Sequence, residues 1–218
     1  MARYDLICLD YDGTLVHSVP AITATMAEVF PSFGMAPPVA DAVRAAVGMG
    51  IRETFFRLNP DIRENEVDEW ITRYRAVYPE IEREKTRLFA GALDALRALH
   101  DAGCAMAVVS NKGRSVLKES VDRLGLEEYV FLTVGDRPGY AKKPDPRVWE
   151  EDVAPAFPGV SPQRVLMVGD GYPDMAFARA VGMVACFASW GYGDKEQCLA
   201  LEPEHIIDTF GELPGIFG

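Results

Sequence analysis

Leu6-Ile7-Cys8-Leu9 is a short apolar run that stops at Asp10, and similar runs recur at Ala105–Ser110, Val130–Val134, Val165–Val168 and Met183–Ala188. Each reads as a buried strand. Helical patterns lie between them. Ala92, Leu93, Leu96 and Leu99 recur at helical spacing and Gly103 ends that segment; Val116, Leu117, Val121 and Leu124 repeat the pattern, with Gly125 as the stop. Strands alternating with helices predict an α/β fold, a doubly wound parallel sheet covered on both faces. In open parallel sheets, ligands bind beyond the carboxyl ends of the strands. On this reading the first strand ends at Asp10, the second at Ser110 and the fourth at Gly169-Asp170.

One stretch breaks the alternation. From about Val19 to Leu88 there is no convincing strand but several helical patterns, the best being Val67, Trp70, Ile71, Tyr74, Val77, Tyr78 and Ile81. Pro79 is expected to kink or divide that helix. We expect a small helical cap, residues 17–87, inserted into a core formed by residues 1–16 and 88–218. The two crossings fall near His17–Pro20 and Lys85–Gly91. The spacing of Trp70, Tyr74 and Tyr78 assigns them to the core of the cap rather than to a binding stripe.

The formal net charge of −11 argues against nucleic acid, where affinity comes from Lys and Arg neutralising phosphates. It also disfavours anionic membrane surfaces. The expected partner is a small molecule, and a site that handles phosphate in such a chain must be locally positive. Cys8, Cys104, Cys186 and Cys198 form no C-x-x-C pair, and we expect buried, reduced thiols. Met1-Ala2-Arg3-Tyr4-Asp5 lacks the apolar stretch of a signal peptide, and no uncharged apolar run is long enough to cross a bilayer. The expected location is the cytoplasm.

Four segments carry candidate chemistry. In Asp10-Tyr11-Asp12-Gly13-Thr14, two carboxylates at a strand end can divide the work of phosphoryl transfer. Asp10 would attack phosphorus and Asp12 would move protons; the pentapeptide reads equally as a polar turn. In Val108-Val109-Ser110-Asn111-Lys112, Ser110 can donate to a phosphate oxygen, or Ser110 or Asn111 can cap a helix. In Lys142-Lys143-Pro144-Asp145-Pro146, Lys143 can neutralise nucleophile and phosphate, or the segment is a solvated loop. In Val168-Gly169-Asp170-Gly171-Tyr172-Pro173-Asp174, Asp170 and Asp174 can hold magnesium beside Asp10, or Asp174 caps the next helix.

Taken in order, Asp10-Tyr11-Asp12-Gly13-Thr14-Leu15, Ser110, Lys143 and Gly169-Asp170 with Asp174 resemble the motifs of the haloacid-dehalogenase-type phosphohydrolases. The resemblance is to the phosphoglycolate-phosphatase-like branch with a small helical cap, and it covers essentially the whole chain. It implies a Rossmann-like core and a Mg²⁺-dependent phosphatase that works through an aspartyl-phosphate on a small phosphorylated metabolite, phosphoglycolate among the candidates. It implies Asp10 as nucleophile and metal ligand, and Asp12 as acid/base whose backbone carbonyl also reaches the metal. Asp170 and Asp174 would complete the metal site. Thr14, Ser110 and Asn111 would hold the phosphoryl group, and Lys143 would neutralise it. Gly171 stands where the family commonly has Ser or Thr, so one supporting hydroxyl is missing.

Charge counting asks for the metal as well. Asp10, Asp170 and Asp174 with a phosphate monoester bring about −5, and like charges roughly 4 Å apart repel by about 4 kcal/mol at an effective dielectric of 20. Lys143 alone cannot offset that. Asp12 argues against a metal-free dehalogenase, and the lack of lysine in Gly48-Met49-Gly50-Ile51-Arg52 argues against a Schiff-base phosphonate hydrolase. A sugar-phosphate mutase and a catalytically silent binding module remain as alternatives. Arg52 is the expected reader of an anionic leaving group, with a solvated surface position as the other reading.

Overall fold

The computed structural model describes residues 3–217; the first two residues of the Met1–Asp5 segment lie outside them. β1 (Leu6–Leu9) leads through the two-residue strand β2 (Val16–His17) into α1 (Val19–Ser32), α2 (Ala40–Arg44), α3 (Ile51–Leu58) and α4 (Val67–Lys85). The chain returns through β3 (Arg87–Leu88) to α5 (Ala92–Asp101), β4 (Ala105–Gly113), α6 (Arg114–Arg123) and β5 (Leu132–Asp136). A π-helical turn at Val148–Val153 precedes β6 (Val165–Gly169), α7 (Tyr172–Val181), β7 (Val184–Ala188), α8 (Lys195–Leu199), β8 (His205–Ile207) and α9 (Leu213–Phe217).

Six strands form one sheet in the order β5-β4-β1-β6-β7-β8, and every neighbouring pair is parallel. This is the predicted α/β class. β1 shows why its run is apolar throughout. Ile7 and Leu9 point into the core on one face with Leu96, Leu99 and Leu117. Leu6 and Cys8 point into the core on the other, with Phe177, Met175 and Trp149. Helices cover both faces, so no position of the strand meets water. β1 lies between β4 and β6, and a crevice opens beyond strand ends where the chain order reverses. Asp10 follows β1 directly at that point.

α1, α3 and α4 pack on one another around a separate cluster that includes Met26, Phe30, Phe55, Trp70 and Tyr74. Trp70 stacks on Phe33 with ring centroids 4.1 Å apart. The two chain crossings are paired: Val16 lies opposite Leu88 and His17 opposite Arg87 in an antiparallel ribbon.

The structure corrects four details. α4 runs unbroken through Pro79; a proline costs one i→i−4 bond, and here the freed carbonyl is that of Arg75, beside a cavity that both residues line. β4 continues past Ser110 to Gly113, with a register shift against β5 between Val109 and Gly113, so Gly113 rather than Ser110 or Asn111 precedes α6. β8 and the β2–β3 ribbon were not anticipated. The fifth strand runs from Leu132 to Asp136 rather than from Val130 to Val134. All four cysteines are buried free thiols. Among the described residues no helix is long and apolar enough to cross a membrane.

Candidate active site

β1, β4 and β6 deliver Asp10, Ser110 and Asp170 to one edge of the sheet, and the loop carrying Lys143 and the first turn of α7 close around them. Lys143, 3% exposed, is the centre of charge. Its Nζ donates to Asp10 Oδ1 at 2.7 Å, Asp174 Oδ1 at 2.6 Å and the Val109 carbonyl at 2.5 Å. Burial alone would drive that ammonium down, but Asp10 and Asp174 reverse the effect and hold it above its ordinary range. The capping role read from the sequence is seen directly, since Asp174 Oδ2 also accepts the Gly171 N–H at 3.0 Å and so caps α7.

Asp10, Asp170 and Asp174 each offer a carboxylate oxygen, all lying within 4.8 Å of one another. Burial pushes the Asp10 carboxyl far above the ordinary carboxylate range; Lys143 opposes this, and the charges of Asp174 and Asp170 add to it. Asp170 is raised too, by burial and then by Asp174, against hydrogen bonds that favour its ionised form. The cluster therefore holds more negative charge than Lys143 compensates. Buried, convergent carboxylate oxygens short of positive charge fit a hard divalent cation such as Mg²⁺. Gly13 makes the closeness of the cluster feasible. Its φ is +94°, and a Cβ there would sit 2.4 Å from Asp170 Oδ2.

Thr14 is placed differently from the sequence expectation. It is fully buried, and its hydroxyl donates to Asp170 Oδ1 at 2.9 Å. It braces a carboxylate and is not among the residues lining the cavity. Asp170 thus has a supporting hydroxyl from β1's loop, although Gly171 supplies none. Ser110 and Asn111 do line the cavity. The Asn111 amide donates to the carbonyls of Lys143, at 3.0 Å, and Gly48, at 3.1 Å, so it ties the sheet edge to the helical insertion.

The cavity, about 210 Å³, is roofed by Ile22, Met26, Val43, Val47, Met49, Tyr74 and Tyr78, with Asp10 and Asp12 at its floor. Lys112 projects into it. Its Nζ lies 3.0 and 3.3 Å from the two oxygens of Asp12 and donates to the Tyr78 hydroxyl. Burial works against that ammonium, yet the Asp12 charge lifts it above its usual value. Arg75 lines the same cavity. Arg52 does not: its guanidinium pairs with Glu64 at 2.7 Å and with Asp68. The expected leaving-group reader is turned to two acids on the insertion, and the cations at the cavity are Lys112 and Arg75.

A sequence model of the haloacid dehalogenase-like hydrolases matches residues 7–188. The chain belongs to that family. This haloacid dehalogenase-like hydrolase is 31% identical to the phosphoglycolate phosphatase of Agrobacterium fabrum, over 97% of this chain and 92% of that protein. It is equally 31% identical to the phosphoglycolate phosphatase of Neisseria meningitidis, over 97% and 91%. A crystal structure described as a predicted phosphoglycolate phosphatase from Haemophilus somnus superposes with a TM-score of 0.92 at 23% identity, covering 100% of both chains. At that identity the superposition speaks for the fold alone, and the fold of this family member is the haloacid dehalogenase-like one.

Sequence reasoning on this family member missed Lys112 and Tyr78 as site residues. Lys112 stood inside the second segment, two residues past Ser110, and a strand continuing to Gly113 would have put it at the sheet's functional edge. Tyr78 has the helical spacing of a core residue and is one, being 4% exposed within the insertion's cluster, yet it also lines the cavity and meets Lys112.

Proposed function

We propose that the chain is a cytoplasmic Mg²⁺-dependent phosphatase that hydrolyses a small, anionic phosphate monoester, 2-phosphoglycolate in the first instance, through an aspartyl-phosphate. The observation that carries this reading is the buried set Asp10, Asp170 and Asp174, with Lys143 bridging Asp10 and Asp174 and with Asp12 nearby on the floor of the cavity. Relatives named phosphoglycolate phosphatase support the choice of substrate. So does a cavity of about 210 Å³ with two cations and apolar walls, which suits a leaving group of a few atoms with a carboxylate. We assign residues 17–87 as the cap that selects it, and the net charge of −11 favours a small metabolite over nucleic acid.

Asp10 attacks phosphorus, and the bond to the ester oxygen breaks. Asp12 gives its proton to the departing alkoxide, and then takes a proton from the water that attacks the acyl phosphate, releasing inorganic phosphate and restoring both carboxyl groups. Ser110 and Lys143 hold and neutralise the phosphoryl oxygens. Asp10, Asp170, Asp174 and the Asp12 carbonyl are the residues that would hold Mg²⁺, which supplies charge neutralisation for the transferring group. Lys112 and Arg75 meet the carboxylate of the leaving group.

The test measures inorganic phosphate released from 2-phosphoglycolate with Mg²⁺, with excess EDTA, and by Asp10→Asn. The expected result is turnover that EDTA abolishes and that the amide variant lacks, deamidation being excluded by mass spectrometry. Full activity in EDTA overturns the metal reading, and wild-type activity of Asp10→Asn overturns the nucleophile. Transfer of phosphate between sugar positions without release would mark a mutase instead.

A further inference from the structure

The loop after β7, Trp190-Gly191-Tyr192-Gly193, grips Asp170 with its backbone. The N–H groups of Tyr192 and Gly193 donate to Asp170 Oδ2 at 2.7 and 3.3 Å. The fit is flush: a Cβ on Gly191 would lie 2.1 Å from the Asp170 Cβ, and one on Gly193 2.1 Å from the Asp170 carbonyl oxygen. Nothing larger than hydrogen fits between loop and aspartate, so a shift of the loop displaces the carboxylate.

The other side of the same loop is held by the insertion and its first crossing. The Tyr192 hydroxyl accepts the Ser18 N–H at 3.0 Å and shares a 2.6 Å hydrogen bond with His17 Nδ1. His17 ends β2, and Val19 begins α1, so that hydroxyl is seated on the hinge. Arg44 at the end of α2 donates to the Gly191 carbonyl at 3.0 Å, and its guanidinium carbon lies 5.0 Å from the centre of the Tyr192 ring. One face of a four-residue loop thus reads the position of the insertion, and the other aims Asp170 Oδ2.

We propose that Tyr192 is a positioning residue that couples the seating of the helical insertion to the grip of Asp170 on the cation. The coupling rests on Asp170 being a metal ligand, as assigned above. Ser18 and Arg44 keep the loop pressed on Asp170 only while the insertion is seated as described here. Seating therefore raises metal affinity, and by linkage the bound metal favours seating by the same factor.

The experiment uses the intact chain without substrate and reads Mn²⁺ binding by electron paramagnetic resonance, so activity is not the readout. Tyr192→Phe deletes the hinge-seated hydroxyl and keeps ring and backbone; Arg44→Ala removes the contact from α2; Asp170→Asn is the control. The expected result is a Kd raised about three- to ten-fold in each of the first two variants, the size of one lost hydrogen bond, at unchanged melting temperature. The Ser18 amide should also exchange hydrogen more slowly when Mn²⁺ binds the wild type, and this protection should vanish in Tyr192→Phe. If both variants bind Mn²⁺ like the wild type while Asp170→Asn does not, the coupling is wrong and the metal site stands. If Asp170→Asn also binds like the wild type, the metal site itself is wrong and the coupling falls with it.

Discussion

Lys112 meets both oxygens of Asp12, at 3.0 and 3.3 Å, inside the cavity that the insertion roofs. On the proposed mechanism, a lysine so placed stands beside the proton donor, in the space for the leaving group. Lys112→Met keeps the length and the apolar stem and removes the charge. It should lower kcat/KM for 2-phosphoglycolate by about ten- to a hundred-fold, the loss of one charge-assisted contact of roughly 1.5–3 kcal/mol. An aryl phosphate, which brings no second anion, should lose distinctly less. Steady-state kinetics on both substrates decides this, and equal losses would make Lys112 a partner of Asp12 alone.

Arg52 gives the contrasting case. Its partners Glu64 and Asp68 are both about four-fifths exposed, so the pairs are screened and contribute at most about 1 kcal/mol. Arg52→Ala should leave kcat/KM on both substrates within about two-fold. A selective loss on 2-phosphoglycolate would show that Arg52 swings to the substrate during turnover.

Gly13 is where the backbone leaves no latitude. An alanine there meets a φ of +94° and a carboxylate oxygen 2.4 Å away. The backbone strain is about 1–2 kcal/mol, and Asp170 has to move. Gly13→Ala should retain its circular dichroism spectrum and lose at least about a hundred-fold in kcat, because misplacement by an ångström is costly to a preorganised site. Retained activity would mean that Asp170 need not hold its present position.

The pH dependence of stability has a marker remote from the site. The Tyr4 hydroxyl and His205 Nε2 are 2.7 Å apart, and burial, followed by the charge of Arg3, depresses the imidazole below its ordinary value. A group depressed in the folded state adds stability above its unfolded pKa, about 6.5 for histidine, and loses it as pH falls through the lower folded value. The His205 contribution to the melting temperature should therefore fall from about pH 7 to pH 5, opposite in sign to that of the raised Asp10 and Asp170 carboxyls, and His205→Gln should change the slope over that window by removing it. An identical slope in the variant would assign the acid sensitivity elsewhere.

The strands legible in the sequence are those with helices on both faces, since Leu6–Leu9 or Val165–Gly169 can be nothing but apolar. β8 escaped notice because only Ile207 of its three residues is buried, and the β2–β3 ribbon is too short for any period to show. Among candidate site residues, Asp10, Asp12, Ser110 and Asp170 stand out because polar groups near strand ends are where this topology places a crevice, whereas Lys143 and Asp174, on a loop and a helix, stand out by their place in the ordered motif set. Thr14 was assigned a phosphate because its partner Asp170 lies 156 positions away. Arg52 was assigned a substrate because neither Glu64 nor Asp68 announces that it folds back across the insertion. In both cases the local chemistry was legible in the sequence and the tertiary neighbour was not.

The antiparallel pairing of Val16 with Leu88 and His17 with Arg87 has a consequence for how such a chain changes over time. Paired strands lie about 4.8 Å apart, so everything between them departs and returns through a gap no wider than a tight turn. A short turn joining His17 to Arg87 would meet the same register and present the same two ends to the sheet. The core's topology is thus indifferent to what that gap carries, and lengthening an insertion whose ends are already pinned adds little closure entropy. The insertion can be exchanged there without altering the order of the strands that carry Asp10, Ser110 and Asp170, and what an exchange has to preserve is the set of contacts that Ser18, Arg44 and Gly48 make with the core.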